Sequence, residues 1–114
     1  MKGDVFRLRR PRDAQGREQQ HERFAVVVQA TRLLHLSTWV VAPTSTRARP
    51  FVFRPRVELP FGPTLVICDA LVSIDPERRL GDYVASLTTD ETLEIDKTLT
   101  LFLDLTGFGA GTTG

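Results

Sequence analysis

Five consecutive apolar residues, Phe24 to Val28, follow directly on Arg23, and three of them are β-branched. A run without a polar face, if it forms a strand, has to be covered on both sides. A curled sheet closed by a helix provides that second layer with few residues. The segment before the run has the opposite character. Residues 9–22 carry no hydrophobic side chain except Ala14. A connection of that length in a compact domain is as a rule functional or mobile. A cation therefore stands where an exposed loop enters a buried strand.

The rest of the chain reads as further short strands. "DVFRL" (4–8) alternates, "TWVVAPTS" (38–45) is ended by Pro43, and "FVFRPRVEL" (51–59) alternates apolar with basic residues. "TLVICDALVSI" (64–74) and "GDYVASL" (81–87) complete the set. "TRLLHLS" predicts a short connection with a helical turn, Pro60, Gly62 and Pro63 a turn, and Pro76 with "ERR" a loop. Residues 88–105 predict the one helix. Thr88 and Glu91 have capping-box spacing, and Asp90 and Glu91 suit the positive helix start. Ile95, Leu99, Phe102 and Leu103 form one apolar face. Leu101 and Leu105 widen it beyond what a small barrel covers, which points to a partner surface. The expectation is a mainly β fold, a small barrel capped by a C-terminal helix. It forms a single domain over 1–106, with a flexible basic loop at 9–22 and a flexible Gly-rich tail at 107–114.

At 114 residues the chain has room for one modest core. No apolar run approaches the roughly 20 residues of a membrane span, and "MKGDVFRLRR" lacks the apolar segment of a signal peptide. Cys68 is the only cysteine, so no internal disulfide forms, which fits a reducing cytoplasm. One cysteine with His21 and His35 gives no metal-ligand spacing. The formal charge of +1 conceals a split. Residues 1–56 hold twelve Lys and Arg against four acids, and residues 57–114 hold three against ten. Either the halves neutralise each other, or the first half presents a basic face to an anionic ligand.

Nucleophile-elbow, P-loop and dinucleotide glycine motifs are absent. Taken alone, Arg23 reads as an edge cation paired with Glu22 or Glu18, and "TST" (44–46) as turn-forming hydroxyls. The order of the pieces says more. "KGDVF" opens the chain, and a Gly-x-Glu-Gln-x-x-x-Arg pattern follows as Gly16, Glu18, Gln19 and Arg23. "AVVVQ", "VVAPTS", "RPFVF" and "CDALVSI" come next. In this order and at these spacings the sequence resembles the MazF/PemK family of toxin endoribonucleases, from Lys2 to about Leu105.

The resemblance implies an SH3-like barrel of the CcdB/MazF type with a C-terminal helix, usually a homodimer. It implies cofactor-free, metal-independent cleavage of single-stranded RNA, with an acidic antitoxin as inhibitor. The family's catalytic arginine falls on Arg23, its threonine on Ser45 and its loop glutamate on Glu18. Serine thus replaces threonine at 45, Phe24 a usual proline, His21 a usual glycine, Arg17 a usual serine and Ala70 a usual glutamine. An RNA surface is expected from Lys2, Arg7, Arg9, Gln19, His21, Thr44, Thr46, Arg47, Arg49 and Asp69. Arg10, Arg12, Arg54 and Arg56 extend it along the phosphate backbone, and Trp39, Phe51 or Phe53 are stacking candidates. The chemistry expected is attack of a ribose 2′-hydroxyl on its own phosphodiester, giving a 2′,3′-cyclic phosphate and a 5′-hydroxyl. A forked, permanent cation such as Arg23 suits the charge that builds on phosphorus. Glu18 and His21 match the proton steps by their ordinary pKa values. Other readings consistent with the basic half are a barrel that binds nucleic acid or a peptide without catalysis, and a toxin that poisons a topoisomerase.

Overall fold

In the computed structural model, which describes residues 1–9 and 23–105, seven antiparallel strands form one curled sheet. They are β1 (Asp4–Leu8), β2 (Phe24–Val27), β3 (Trp39–Ser45), β4 (Arg56–Leu59), β5 (Gly62–Val66), β6 (Val72–Ile74) and β7 (Leu80–Ser86). The order is β4-β5-β3-β2-β1-β7, and β6 pairs with β3 beside β5. A short helix α1 (Pro76–Arg79) and a long one, α2 (Thr89–Phe102), complete the fold. This is a half-barrel with one C-terminal helix, as the sequence led us to expect.

β2 is buried along its whole length. Its residues divide by alternation, Phe24 and Val26 into one core cluster with Val5, Val57, Val66 and Ile95 from α2. Ala25 and Val27 enter a second cluster with Val41, Ile74 and Leu80. Helix α2 closes the first cluster. Its capping box is complete: Thr88 Oγ1 accepts from Glu91 N at 3.0 Å, and Glu91 Oε1 accepts from Thr88 N at 2.9 Å. The other Glu91 oxygen accepts from Glu58 N at 2.9 Å, which satisfies an outward donor of the edge strand β4.

Three expectations are corrected. Residues 64–74 are not one strand. Between Val66, opposite Thr44, and Val72, opposite Val41, six residues advance while β3 advances three. The excess is a 3-10 turn at Cys68–Ala70. Residues 51–55 are a turn closed by Arg54 N to Phe51 O, because Pro50 and Pro55 have no N–H to give a ladder. Residues 76–79 are helical, with Asp75 as N-cap accepting from Glu77 N at 3.0 Å and proline in the first turn. The connection after β2 contains a 3-10 turn at Thr31–Leu33, as expected. Helix α2 ends at Phe102, three residues short of the expected end.

Candidate active site

Strand register brings the two principal candidates together. Ala25 faces Pro43 across β2 and β3, so continuing the ladder by two residues sets Arg23 opposite Ser45. On the other side of β3 Ser45 faces Leu65, and Leu65 faces Arg56. Leu8 N donates to Arg23 O at 2.8 Å, which fixes the Arg23 backbone to β1. The bond from Val28 N to Val40 O identifies the directly hydrogen-bonded pairs of this ladder. Counting from it, Arg23 and Ser45 belong to the alternate class, in which opposed Cα atoms lie about 4.5 Å apart and side chains are closest. Both are on the face of Ala25, Val27 and Val41.

The Arg23 side chain is exposed and has no hydrogen bond or ion pair with any other described residue. Ser45 is engaged. Its Oγ accepts from Arg47 N at 3.1 Å and Ala48 N at 3.0 Å, holding the turn that leaves β3. With both accepted bonds on the oxygen, the hydroxyl proton remains as a donor. Thr46 and Arg47 are exposed beyond it. Thr44 takes the other side of the strand: it is 5% exposed and donates to Phe24 O at 3.4 Å. Strand alternation thus removes Thr44 from the expected RNA surface.

The expected basic groove is thinner than the residue count suggests. Arg54 donates from Nε and Nη2 to the two oxygens of Asp69, at 3.1 and 3.0 Å, and from Nη1 to Arg49 O at 3.0 Å. These bonds hold the Asp69 carboxyl below the usual carboxylate range and raise the Arg54 guanidinium. Asp69 therefore anchors the 46–54 loop through Arg54. Lys2 pairs with Asp96 of α2 at 2.8 Å and Arg56 with Glu58 at 3.3 Å. Arg9 is exposed and donates to Glu77 O at 3.3 Å, and the Arg7 guanidinium lies over the Phe24 ring. Arg47 and Arg49, both exposed, have no ionic partner among the described residues. Like Arg23, they are exposed cations without an ionic partner among the described residues. Trp39 is half-buried against the second core cluster, donating to Leu34 O at 2.9 Å, and Phe51 is exposed beside Arg54.

Residues 1–103 match the model of the family described as PemK-like, MazF-like toxin of type II toxin–antitoxin systems. The chain belongs to that family. A toxin candidate of Mycobacterium tuberculosis is 31% identical over 105 residues, covering 92% of this chain and 98% of the relative. Among solved structures, the M. tuberculosis toxin MazF-mt6 superposes with a TM-score of 0.70 at 17% identity, covering 89% of this chain and 96% of that one. A mycobacterial endoribonuclease in complex with its cognate antitoxin gives 0.72 at 19% identity, covering 92% and 95%. A MazE–MazF complex of Deinococcus radiodurans gives 0.68 at 26% identity, covering 90% and 93%.

In this MazF-like chain Glu18, Gln19 and His21, with Arg10, Arg12 and most of the 9–22 loop, lie outside the described residues, as does the 107–114 tail. Cys68 is fully buried beneath the 3-10 turn. Desolvation, helped by the Asp69 charge, pushes its thiol up to about 11, so it is a core group and not a nucleophile. A groove of about 590 Å³ lined by Phe6, His35, Trp39, Asp75 and Glu77 contains, of the expected site residues, only the stacking candidate Trp39. Among the described residues no cluster of three or more His, Cys, Asp or Glu could hold a metal ion, and no helix is long and apolar enough to cross a membrane.

Proposed function

We propose that this toxin is an endoribonuclease that cuts single-stranded RNA without a metal ion. The observation that carries the reading is an exposed arginine, free of partners among the described residues, set by continuation of the register opposite a hydroxyl whose oxygen accepts two backbone bonds and whose proton is left to donate. A phosphodiester between Arg23 and Ser45 receives a forked cation from one strand and a neutral donor from the next. Both interactions strengthen as the 2′-oxygen attacks and negative charge accumulates on the non-bridging oxygens. Loss of the 5′-oxygen then leaves a 2′,3′-cyclic phosphate. The loop carboxylate of Glu18 and the imidazole of His21 are the candidates for the proton steps. Asp69 is a poor base because Arg54 occupies both of its oxygens. Arg47 and Arg49 guide the flanking backbone, and the proposed antitoxin competes for these cations with acidic side chains. The exposed Leu101, Phe102 and Leu103 of the α2 end suit homodimer packing, and the proposed location is the cytoplasm.

The test is incubation of the purified chain, in excess EDTA, with end-labelled single-stranded RNA of mixed sequence, beside the same oligonucleotide made as DNA. Discrete RNA cuts with cyclic-phosphate ends and intact DNA are expected. Binding without cutting would replace the enzyme reading with that of a binding module. For the dimer, light scattering giving a mass near 12.8 kDa at micromolar concentration would count against it.

A further inference from the structure

Phe24 departs from the proline usual in the family, and the structure shows what it does instead. Its ring stacks on Phe61, with centroids 4.7 Å apart and planes inclined by 28°. The Arg7 guanidinium lies 5.4 Å from the Phe24 centroid. Phe61 sits in the two-residue link between Leu59 and Gly62, which pair across β4 and β5. Pro60 within the link and Pro63 one residue beyond Gly62 fix their own φ angles. Gly62 has φ +127°, a conformation that L side chains rarely adopt. The prolines restrain the turn, and it holds a large ring 55% exposed.

Exposure alone would carry nothing, since single apolar residues are ordinary on protein surfaces. Three further facts give this ring a use. It is held by stacking on Phe24 in a turn with two prolines, which lowers the conformational entropy lost on binding to it. One side is backed by a nearly parallel ring that carries a cation. And that backing ring belongs to the residue next to Arg23, about 3.3 Å along the strand. Phe24 and Arg23 point to opposite faces, so the ring pair and the phosphate position flank the same strand end. The geometry points to Phe61 as a stacking platform for a nucleobase flanking the phosphodiester held at Arg23. This inference rests on the RNA reading above. Arg23 complements the phosphate beside such a base, and a flat ring accepts any base by its π-face.

The probe is an RNA spanning one mapped cut site, with the attacking ribose 2′-O-methylated so that it binds and is not cut. It is made intact and as a series with one abasic nucleotide each, and binding is read by fluorescence anisotropy. Phe61→Ala weakens binding of the intact RNA about 5- to 150-fold, the span of one base–aromatic stack. The loss disappears for the one RNA that is abasic at the flanking position, where wild type is already weak. Phe61→Trp keeps wild-type affinity, and Phe61→Leu, which preserves packing against Phe24, behaves as the alanine variant does. An equal loss with every abasic RNA would mean a structural role and overturn the platform. Unchanged RNA binding by Phe61→Ala, with or without loss of antitoxin binding, also overturns it while leaving the ribonuclease reading intact. Failure of wild type to bind any RNA overturns both.

Discussion

Replacing Ser45 with alanine removes one oxygen that serves two purposes, and the two are separable by experiment. The oxygen accepts from Arg47 N and Ala48 N at 3.1 and 3.0 Å. Each such bond is worth roughly 0.5–1.5 kcal/mol net, and water reaches this half-exposed turn, so the combined loss is about 1 kcal/mol. For a domain of this size that lowers the melting temperature by about 3–6 °C. The hydroxyl proton, if it is donated to the phosphate in the transition state, is worth more: removing one preorganised donor costs about 10²–10³ in rate. The assay pairs thermal melting by circular dichroism with single-turnover RNA cleavage well below the melting temperature. Ser45→Ala should show both losses. Ser45→Thr should show neither, since the hydroxyl is retained. Ser45→Asp should recover the melting temperature, because a carboxylate accepts the same two N–H groups, and should not recover cleavage, because it has no proton to donate and repels the phosphate. Full cleavage by folded Ser45→Ala would refute the donor role. Recovery of cleavage in Ser45→Asp would show that Ser45 acts only through the turn.

Arg23→Ala should leave the melting temperature within about 1 °C, since the side chain is exposed and free of described partners, and should abolish cleavage. Arg23→Lys should restore little, because an ammonium lacks the planar fork. The Asp69 carboxyl is held below its ordinary value of about 3.9, so its ion pair stabilises the fold at pH above that value. That stability is lost as pH falls through the lower, folded-state pKa. Asp69→Asn should therefore flatten the acid limb of a plot of denaturation midpoint against pH below about 4, and an unchanged limb would exclude the pair as its source. Glu91→Ala removes the capping box and the bond to Glu58 N together. Urea denaturation should show a loss of about 1–3 kcal/mol.

Some of this architecture is legible in the residues and some is not, for identifiable reasons. The unbroken run Phe24–Val28 announces a strand covered on both faces because it has no polar period, and the structure divides it between two cores. The Thr88 and Glu91 spacing announces helix α2 atom for atom, since a capping box is a local device. The break at Cys68–Ala70 is tertiary: "VICDALVSI" is strand-like throughout, and Arg54 reaches from another segment to hold Asp69. Residues 51–55 have β-prone side chains, but the prolines around them deny the ladder its donors. The opposition of Arg23 and Ser45 could not be read at all, because pairing register between distant segments is not written in either one. For the same reason alternation, once the register is known, separates Ser45 from buried Thr44 although they are neighbours in sequence.

The spacing of the two groups proposed to grip the phosphate is set by the β2–β3 ladder and not by any loop. Insertions or deletions in 9–22 or 46–54 leave the Arg23–Ser45 separation untouched, whereas a one-residue slip between β2 and β3 would send one of the pair to the opposite face. The proposed phosphate grip is thereby separated from loop length. Exchange of the 46–54 loop would leave the proposed phosphate-gripping pair on its two strands, whereas exchange of 9–22 would also replace Glu18 and His21, the groups proposed for the proton steps.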